Sequence, residues 1–286
     1  MASLIDLRRR IRSIKNTQQI TRAMKMVATA RLRRAQDKIL AARPYAEELR
    51  RVVVNLSSRM GDRTHPLLVE REEKKVLVAV VTGDKGLCGS FNSNVIRRAG
   101  EVLAEKEDCE LLLLGRRGYE FYKRRPTPIR KSYTSLFTKV TFEQASEIAT
   151  DVSGAFTARE YDAVYVVYNQ FVSVIQQHLT VERLLPLRSA DNRQAEQAAG
   201  GEYVYEPSPS DILSEVVGGY LASQVYRILL DSQAAEHAAR MTAMDSATKN
   251  AGELIDSLTL TYNRSRQTAI TTELIEVVSG AQALEG

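Results

Sequence analysis

Ala28, Leu32, Ala35, Ile39, Ala42, Ala46, Leu49, Val53 and Leu56 follow one another in alternating steps of four and three. That spacing lays a narrow apolar stripe along a helix, the seam of a coiled coil. A seam needs a second helix to cover it. The far end of the chain offers one, because from Ile212 the pattern stays helical for about seventy residues with almost no breakers. An ordinary globular helix averages about eleven residues, so a run of this length implies a rod. Helices from the two chain ends can cover each other's stripes only by folding back antiparallel. A chain of 286 residues holds such a rod and one further domain.

The intervening sequence has a different rhythm. Residues 75–82 (KVLVAVVT), 110–114 (ELLLL) and 161–168 (YDAVYVVY) are buried-strand patterns, and residues 171–186 continue with β-branched and apolar side chains. Helical patterns at 92–106 and 141–158 separate them, the second carrying Glu143, Glu147 and Asp151 on one face. Such alternation predicts a small, mostly parallel sheet covered by helices. A polar linker at 189–202 and a short edge strand at 203–205 are expected before the last helix, with Ser208 or Ser210 as its N-cap. The expected fold is α/β. An antiparallel coiled coil of the N- and C-terminal helices (1–57 and 208–286) is joined to a central Rossmann-like α/β domain (58–207).

Within the first helix, Ser3 is the expected N-cap with Asp6 at the third helical position, and Leu4, Leu7, Ile11 and Ile14 open the stripe. Between residues 15 and 27 the register is expected to slip, Ile20, Met24 and Val27 taking over. Pro44 removes one backbone donor, which either kinks the helix or breaks it in two at Arg43. If Ser57 lies beside Ser208 and both helices advance equally, residue i faces about 265 − i and Leu4 faces about Thr261. Residues 262–286 are then a single helix of roughly 37 Å at 1.5 Å per residue. A lone helix with apolar side chains is marginal in water, so Ile270, Leu274, Ile275, Val277 and Val278 need a sleeve.

Charge is uneven along the chain. Residues 1–57 hold 14 Lys/Arg against 4 Asp/Glu, residues 58–207 hold 21 of each, and residues 208–286 hold 5 against 10. Opposite signs help two antiparallel helices pair, by a few tenths of a kcal/mol per exposed pair. The basic helix still keeps a surplus, which implies an acidic neighbour: a protein, a nucleic acid or a membrane surface. Arg8, Arg9, Arg10, Arg12, Lys15, Arg22, Lys25, Arg31, Arg33 and Arg34 carry no interleaved aromatics, which disfavours nucleic acid.

No apolar run approaches the length that spans a bilayer, and the start shows neither a signal-peptide nor a transit-peptide pattern. Cys88 and Cys109 make no C-x-x-C or zinc spacing and fit a reducing compartment. His65, His178 and His237 are far apart in sequence, so no metal site is expected. The turn Thr82-Gly-Asp-Lys-Gly-Leu-Cys-Gly-Ser90 has three glycines between a strand and a helix, as a phosphate cradle does. Its spacing is G-x-x-G-x-x-G and no G-K-[ST] follows, which favours a tight turn needing positive φ over a nucleotide site. Nothing forms a nucleophile–base–orienter set. Met241-Thr-Ala-Met-Asp-Ser-Ala-Thr-Lys-Asn250 alternates small and flexible side chains, as a close-packed coiled coil or a helix turning inside a narrow ring would.

Four segments in order resemble the gamma subunits of F-type ATP synthases. They are Ile14-Lys-Asn-Thr-Gln-Gln-Ile-Thr-Arg-Ala-Met-Lys-Met-Val27, Thr82 through Asn94, Glu236 through Asn250, and Thr261-Tyr-Asn-Arg-Ser-Arg-Gln-Thr-Ala-Ile-Thr-Thr-Glu-Leu-Ile-Glu276. The resemblance implies a non-catalytic shaft turning inside a ring of alternating alpha and beta subunits, coupling proton flow to ATP synthesis. It implies a foot, the α/β domain, that binds the epsilon subunit and stands on the membrane ring of c subunits. It puts contacts with the beta-subunit catch loop on Arg266 and Gln267, and a contact near the beta-subunit hinge on Met24, with Lys25 beside it. An acidic loop on the beta subunits fits the basic surplus. The family's chloroplast type carries a regulatory insertion and a redox cysteine pair; this chain has no such insertion, and Cys88 and Cys109 are not a close pair. The resemblance therefore implies a bacterial subunit, peripheral on the cytoplasmic face of the plasma membrane, with no cofactor, no nucleic acid and no direct membrane insertion. The purified chain is expected to hydrolyse no ATP. Steady phosphate release by a homogeneous preparation, lost in Lys85→Ala, is the result that would contradict this.

Overall fold

The computed structural model describes residues 4–60, 65–174, 176–187 and 209–285. Ser3, Ser208, the linker at 189–202 and the strand expected at 203–205 lie outside them. The chain opens with helix α1 (Leu4–Met60) and closes with helix α5 (Pro209–Glu285), which already includes Ser210. α1 runs unbroken through Pro44. Pro44 and Leu40, whose carbonyl loses its partner, are both exposed, so water replaces the missing bond at little cost. Contacts group the chain into two compact units, Thr29–Arg240 and, separately, Met1–Ala28 with Met241–Gly286.

The first unit holds strands β1 (Lys75–Val81), β2 (Asp108–Leu114), β3 (Ile129–Tyr133), β4 (Ala163–Phe171) and β5 (Gln177–Leu185). Helices α2 (Phe91–Glu105), α3 (Arg116–Tyr122) and α4 (Phe142–Thr157) lie between them in sequence. The sheet order is β3-β2-β1-β4-β5, parallel except for the antiparallel edge pair β4–β5. Successive side chains of a strand point to opposite faces. Leu77, Ala79, Val81, Leu112 and Val166 therefore pack with Ile148, Val152 and Phe156 of α4 and with Leu56, Leu213, Val217 and Leu221 of the terminal helices. Val76, Val78, Val80, Leu111 and Leu113 pack on the other face with Val95, Ala99 and Val102 of α2 and Tyr122 of α3. Covered on both faces, β1 is buried from Val76 to Val81. Thr141 and Gln144 close a capping box on α4.

Two elements escaped the sequence reading. β3 is an edge strand, Ile-Arg-Lys-Ser-Tyr, with no fully buried residue, so its hydrophobic signal is faint. α3 is seven residues long, too short to show helical periodicity. The seam of α1 falls where the spacing put it. Leu32, Ala35, Val53 and Leu56 are buried, Ile39, Ala42, Ala46 and Leu49 are half-buried, and Arg33, Arg34, Leu40 and Arg43 are exposed.

In the second unit α1 and α5 run antiparallel. Arg8 Nη2 donates to the Tyr262 hydroxyl at 3.1 Å, the Thr21 and Thr248 hydroxyls lie 2.8 Å apart, and Lys25 Nζ is 2.6 Å from Asp245. Each pair totals 269 or 270, so residue i faces about 270 − i rather than 265 − i. An offset of 265 follows from pairing Ser57 with Ser208, whereas α1 continues to Met60 and α5 begins at Pro209.

The expected register slip does not occur. Buried or half-buried positions continue through Leu4, Leu7, Ile11, Ile14, Gln18, Thr21, Lys25 and Ala28, in the same steps of three and four. Polar residues hold the seam there because they satisfy each other. Thr21 meets Thr248, and Gln18 Nε2 reaches the Thr248 carbonyl at 3.4 Å. Ile20 and Val27, expected to take over, are 59% and 52% exposed.

Where β2 passes into α3, Gly115 has φ +109°, and a Cβ there would stand 1.9 Å from the Thr82 carbonyl oxygen. Thr82 holds that junction through its N–H to the Leu114 carbonyl at 2.8 Å and its hydroxyl, which accepts from Gly118 N–H at 2.9 Å. Gly115→Ala is expected to cost more than about 3 kcal/mol, combining a forbidden backbone conformation with a backbone clash. Urea unfolding of the variant checks this.

Candidate functional site

The residues singled out by sequence all fall in the helical-pair unit, at two levels. Met24 and Lys25 lie in its paired part. Met24 is half-buried, and Lys25 bridges to Asp245 on the opposite helix. Lys249 joins the same carboxylate at 3.1 Å, and the hydrogen bond from Lys25, then that from Lys249, holds Asp245 below the usual carboxylate range. Arg266, Gln267, Ile270, Leu274 and Ile275 lie toward the end of α5. Lys25 pairs with Asp245, 21 positions before Arg266, so the two levels stand roughly 30 Å apart along the helix.

Inward positions of α5 run Met244, Thr248, Ala251, Ile255, Leu258, Tyr262, Ser265 and Ala269, again in steps of four and three. From residue 270 to 282 every side chain is exposed. Ile270, Leu274, Ile275, Val277 and Val278 are between 49% and 69% exposed. Pairing therefore reaches further than expected, and the solitary tip begins near residue 270 rather than 262. Arg266 and Gln267 are exposed beside the last paired turn. The Arg266 side chain has no hydrogen bond or ion pair among the described residues.

The charge of this unit points outward. Arg8, Arg9, Arg10, Arg12, Lys15 and Arg22 are exposed. Among the described residues only Arg9 of these has an ion pair, with Asp6 of its own helix. Among the described residues of this unit, Lys25–Asp245 is the ion pair that joins the two helices. Helix pairing thus accounts for little of the basic excess. Ile5, Ile20, Met26 and Val27 add exposed apolar surface on the same helix. Sequence reasoning missed the outward role of Ile20 and Val27. The signal was present, because the three-four spacing runs through Gln18 and Thr21 if polar residues are allowed a seam position.

The glycine turn has a different purpose. Gly89 has φ +57° and Leu87 φ +61°, the conformation a tight turn needs. Gly83 and Gly86 instead allow close approach. A Cβ on Gly83 would sit 2.8 Å from Glu236 Oε1, and one on Gly86 3.0 Å from Arg117 Nη2. Asn92 Oδ1 accepts the Gly83 N–H at 2.8 Å, and Arg240 Nη2 donates to the Gly86 carbonyl at 3.3 Å. The Asp84 carboxylate already accepts backbone N–H groups from Arg116, Ser135 and Phe137 at 2.8–3.1 Å. The turn is thus docked on a buried Glu236–Arg240 pair of α5 and carries its own anion. Burial pushes the Glu236 carboxyl up, with Arg240 opposing. Burial, then Arg240 and Arg31, pushes His237 down to about 4. Burial also raises the Cys88 thiol.

No group of three or more His, Cys, Asp or Glu among the described residues can hold a metal ion. No described helix is long and apolar enough to cross a membrane. A long antiparallel helical pair with an uncovered tip, on a chain that also carries a parallel-sheet domain, defines a structural stalk protein. The profile of the family described as "ATP synthase" matches residues 3–284. The chain is 46% identical over 290 residues to the ATP synthase gamma chain of Trichlorobacter lovleyi and 48% identical over 294 residues to that of Chlorobium chlorochromatii, with both chains covered in full. It is similar to a chain of the Tetrahymena thermophila mitochondrial ATP synthase central stalk and c-ring. That match has TM-score 0.62 and 28% identity, and covers 80% of this chain and 99% of that one. A Euglena gracilis mitochondrial ATP synthase chain shares the fold at TM-score 0.69 and 18% identity, over 98% and 94% of the two chains. The chain belongs to the gamma subunits of F-type ATP synthases, a non-catalytic part of that complex.

The low value for His237 fixes a pH dependence. The unfolded chain binds a proton near pH 6.5, while the folded chain stays neutral to about 4. Stability present above pH 6.5 is therefore lost as pH falls through that window, by about 3 kcal/mol at pH 4. His237→Gln is expected to lose less between pH 7 and pH 4 than the parent chain, in paired denaturation curves at each pH.

Proposed function

We propose that this chain is the central rotary shaft of its ATP synthase, coupling proton translocation through the membrane sector to ATP synthesis or hydrolysis on the catalytic alpha/beta ring. The observation that carries the proposal is the tip of α5. Thirteen consecutive residues, 270–282, are exposed, with five large aliphatic side chains among them. Exposed apolar surface of this extent on a solitary helix calls for an enclosing partner. The ring of alpha and beta subunits is that sleeve, and Ile270, Leu274 and Ile275 are its bearing contacts. The unpaired basic face of α1 meets acidic groups of the beta subunits. Met24 and Lys25 form a second level of contact.

The helices at 1–57 and 208–286 act as the shaft, and the domain at 58–207 as the foot on the epsilon subunit and the c-subunit ring. The relatives' names and the stalk-and-ring assembly of the Tetrahymena neighbour support this assignment. The mechanism is conformational. An asymmetric rod makes different contacts with three similar sites, and each site takes a different state according to its contacts. The expected location is the cytoplasmic face of a bacterial plasma membrane, held there through the complex.

Arg266 and Gln267 work across the bearing. Arg266 offers five donors in a planar fork suited to a carboxylate. Arg266→Ala should leave folding and assembly intact and remove a charge-assisted bond of about 1.5–3 kcal/mol. The expected result is slower turnover or weaker ATP-driven proton pumping in the assembled complex. Wild-type turnover and pumping in the variant complex would refute the assignment.

A further inference from the structure

We propose that the outer groove between α2 and α3 is a docking site for a carboxylate-rich segment of a partner protein that inserts one large apolar side chain. This surface is separate from the tip and the basic face of α1. The groove encloses about 840 Å³. Ile96, Leu103 and Phe121 give it an apolar lining, and Arg97, Arg117 and Arg125 stand around it. Gly100 leaves the centre open, since a Cβ there would meet nothing within 4 Å.

The cations are in excess. Residues 116–125 carry five Lys/Arg against one carboxylate, Glu120. Glu120 lies 3.0 Å from Arg117. Glu101 is 2.8 Å from Arg98 and 3.8 Å from Arg97, so Arg97 holds the weaker share. Arg125 stacks 4.0 Å over the Phe121 ring and has no carboxylate among the described residues; neither have Arg116, Lys123 and Arg124. Stacking holds the Arg125 guanidinium in place with its donors available. Tyr119 and Phe121 are each 37% exposed beside it. Arginine and aromatic side chains around a pocket are the composition of a protein-interface anchor. The apolar lining selects a peptide over a bare phosphate, which cannot fill it.

Gly100→Leu separates shape from charge. It fills the groove, leaves every charge in place and replaces a mid-helix glycine with a stronger helix former, so the fold should be at least as stable. The probe is a fluorescent Glu-Glu-Gly-Phe-Gly-Glu-Glu peptide, titrated with the full chain at low salt and followed by anisotropy. Gly100→Leu and the double variant Arg97→Glu/Arg125→Glu are each expected to weaken binding at least about tenfold. Arg9→Glu/Arg12→Glu, which reverses two charges on α1, should change it less than about twofold. Equal loss in that control would reduce the effect to diffuse attraction and overturn the proposal, as would unchanged binding by Gly100→Leu. Tripolyphosphate and phosphatidylglycerol vesicles are the competing probes. If either binds in a Gly100→Leu-sensitive manner while the peptide does not, the groove serves a phosphate-bearing ligand and the proposal fails.

Discussion

The seam between α1 and α5 is the interaction on which the helical-pair unit depends. Two helices meet there through one narrow stripe each, and a stripe so narrow tolerates no error of register. The polar layer formed by Gln18, Thr21 and Thr248 supplies that register. The Thr21–Thr248 contact and the bond from the Gln18 amide to the Thr248 carbonyl form only in this register, although each threonine hydroxyl also reaches a carbonyl of its own helix. A shift along the helix would lose these cross-helix bonds, each worth about 0.5–1.5 kcal/mol net. Lys25 and Asp245 reinforce the same alignment one turn away. Gly252 belongs to this arrangement too, because a Cβ there would lie 3.2 Å from Gln18 Nε2.

The sheet unit is built by a different rule. Its parallel strands are apolar on both faces, so it needs cover on both. One face takes α2 and α3, and the other takes α4 together with side chains between residues 39 and 56 of α1 and between 213 and 230 of α5. The terminal helices thus form part of the sheet's own core. The glycine turn and the buried Glu236–Arg240 pair add a polar attachment on top of that packing. The pair is acceptable in a buried setting because Arg240 also donates to the Gly86 carbonyl, so the guanidinium is shared between the carboxylate and the backbone. Arg227 is anchored similarly, in a two-pronged contact with Glu182 at 2.7 and 2.9 Å, while burial pushes its neighbour Asp231 up to about 6.

A chain organised in this way has little machinery for chemistry. The buried Glu236, His237 and Asp231 face structural partners. What it presents outward is a basic helix face, a basic and aromatic groove, and a bare aliphatic tip. Each is a surface for contact, and contact is how a stalk subunit acts on its neighbours.

Much of this was legible in the sequence because it depends on period. Steps of three and four from Ala28 to Leu56 mark positions that are buried or half-buried in the structure, and the strands at β1, β2 and β4 follow from apolar runs bounded by turn residues. The family resemblance points to Arg266 and Gln267, and the apolar pattern points to the tip. Tertiary structure decided what period cannot carry. It placed polar Gln18 and Thr21 in the seam and turned Ile20 and Val27 outward, because satisfied hydrogen bonds across the helix pair outweigh side-chain hydrophobicity at single positions. It set the offset near 270, which depends on where the helices end. It also gave Gly83 and Gly86 their meaning, since room for Glu236 and Arg117 is required by residues distant in the chain and only the folded chain brings them near.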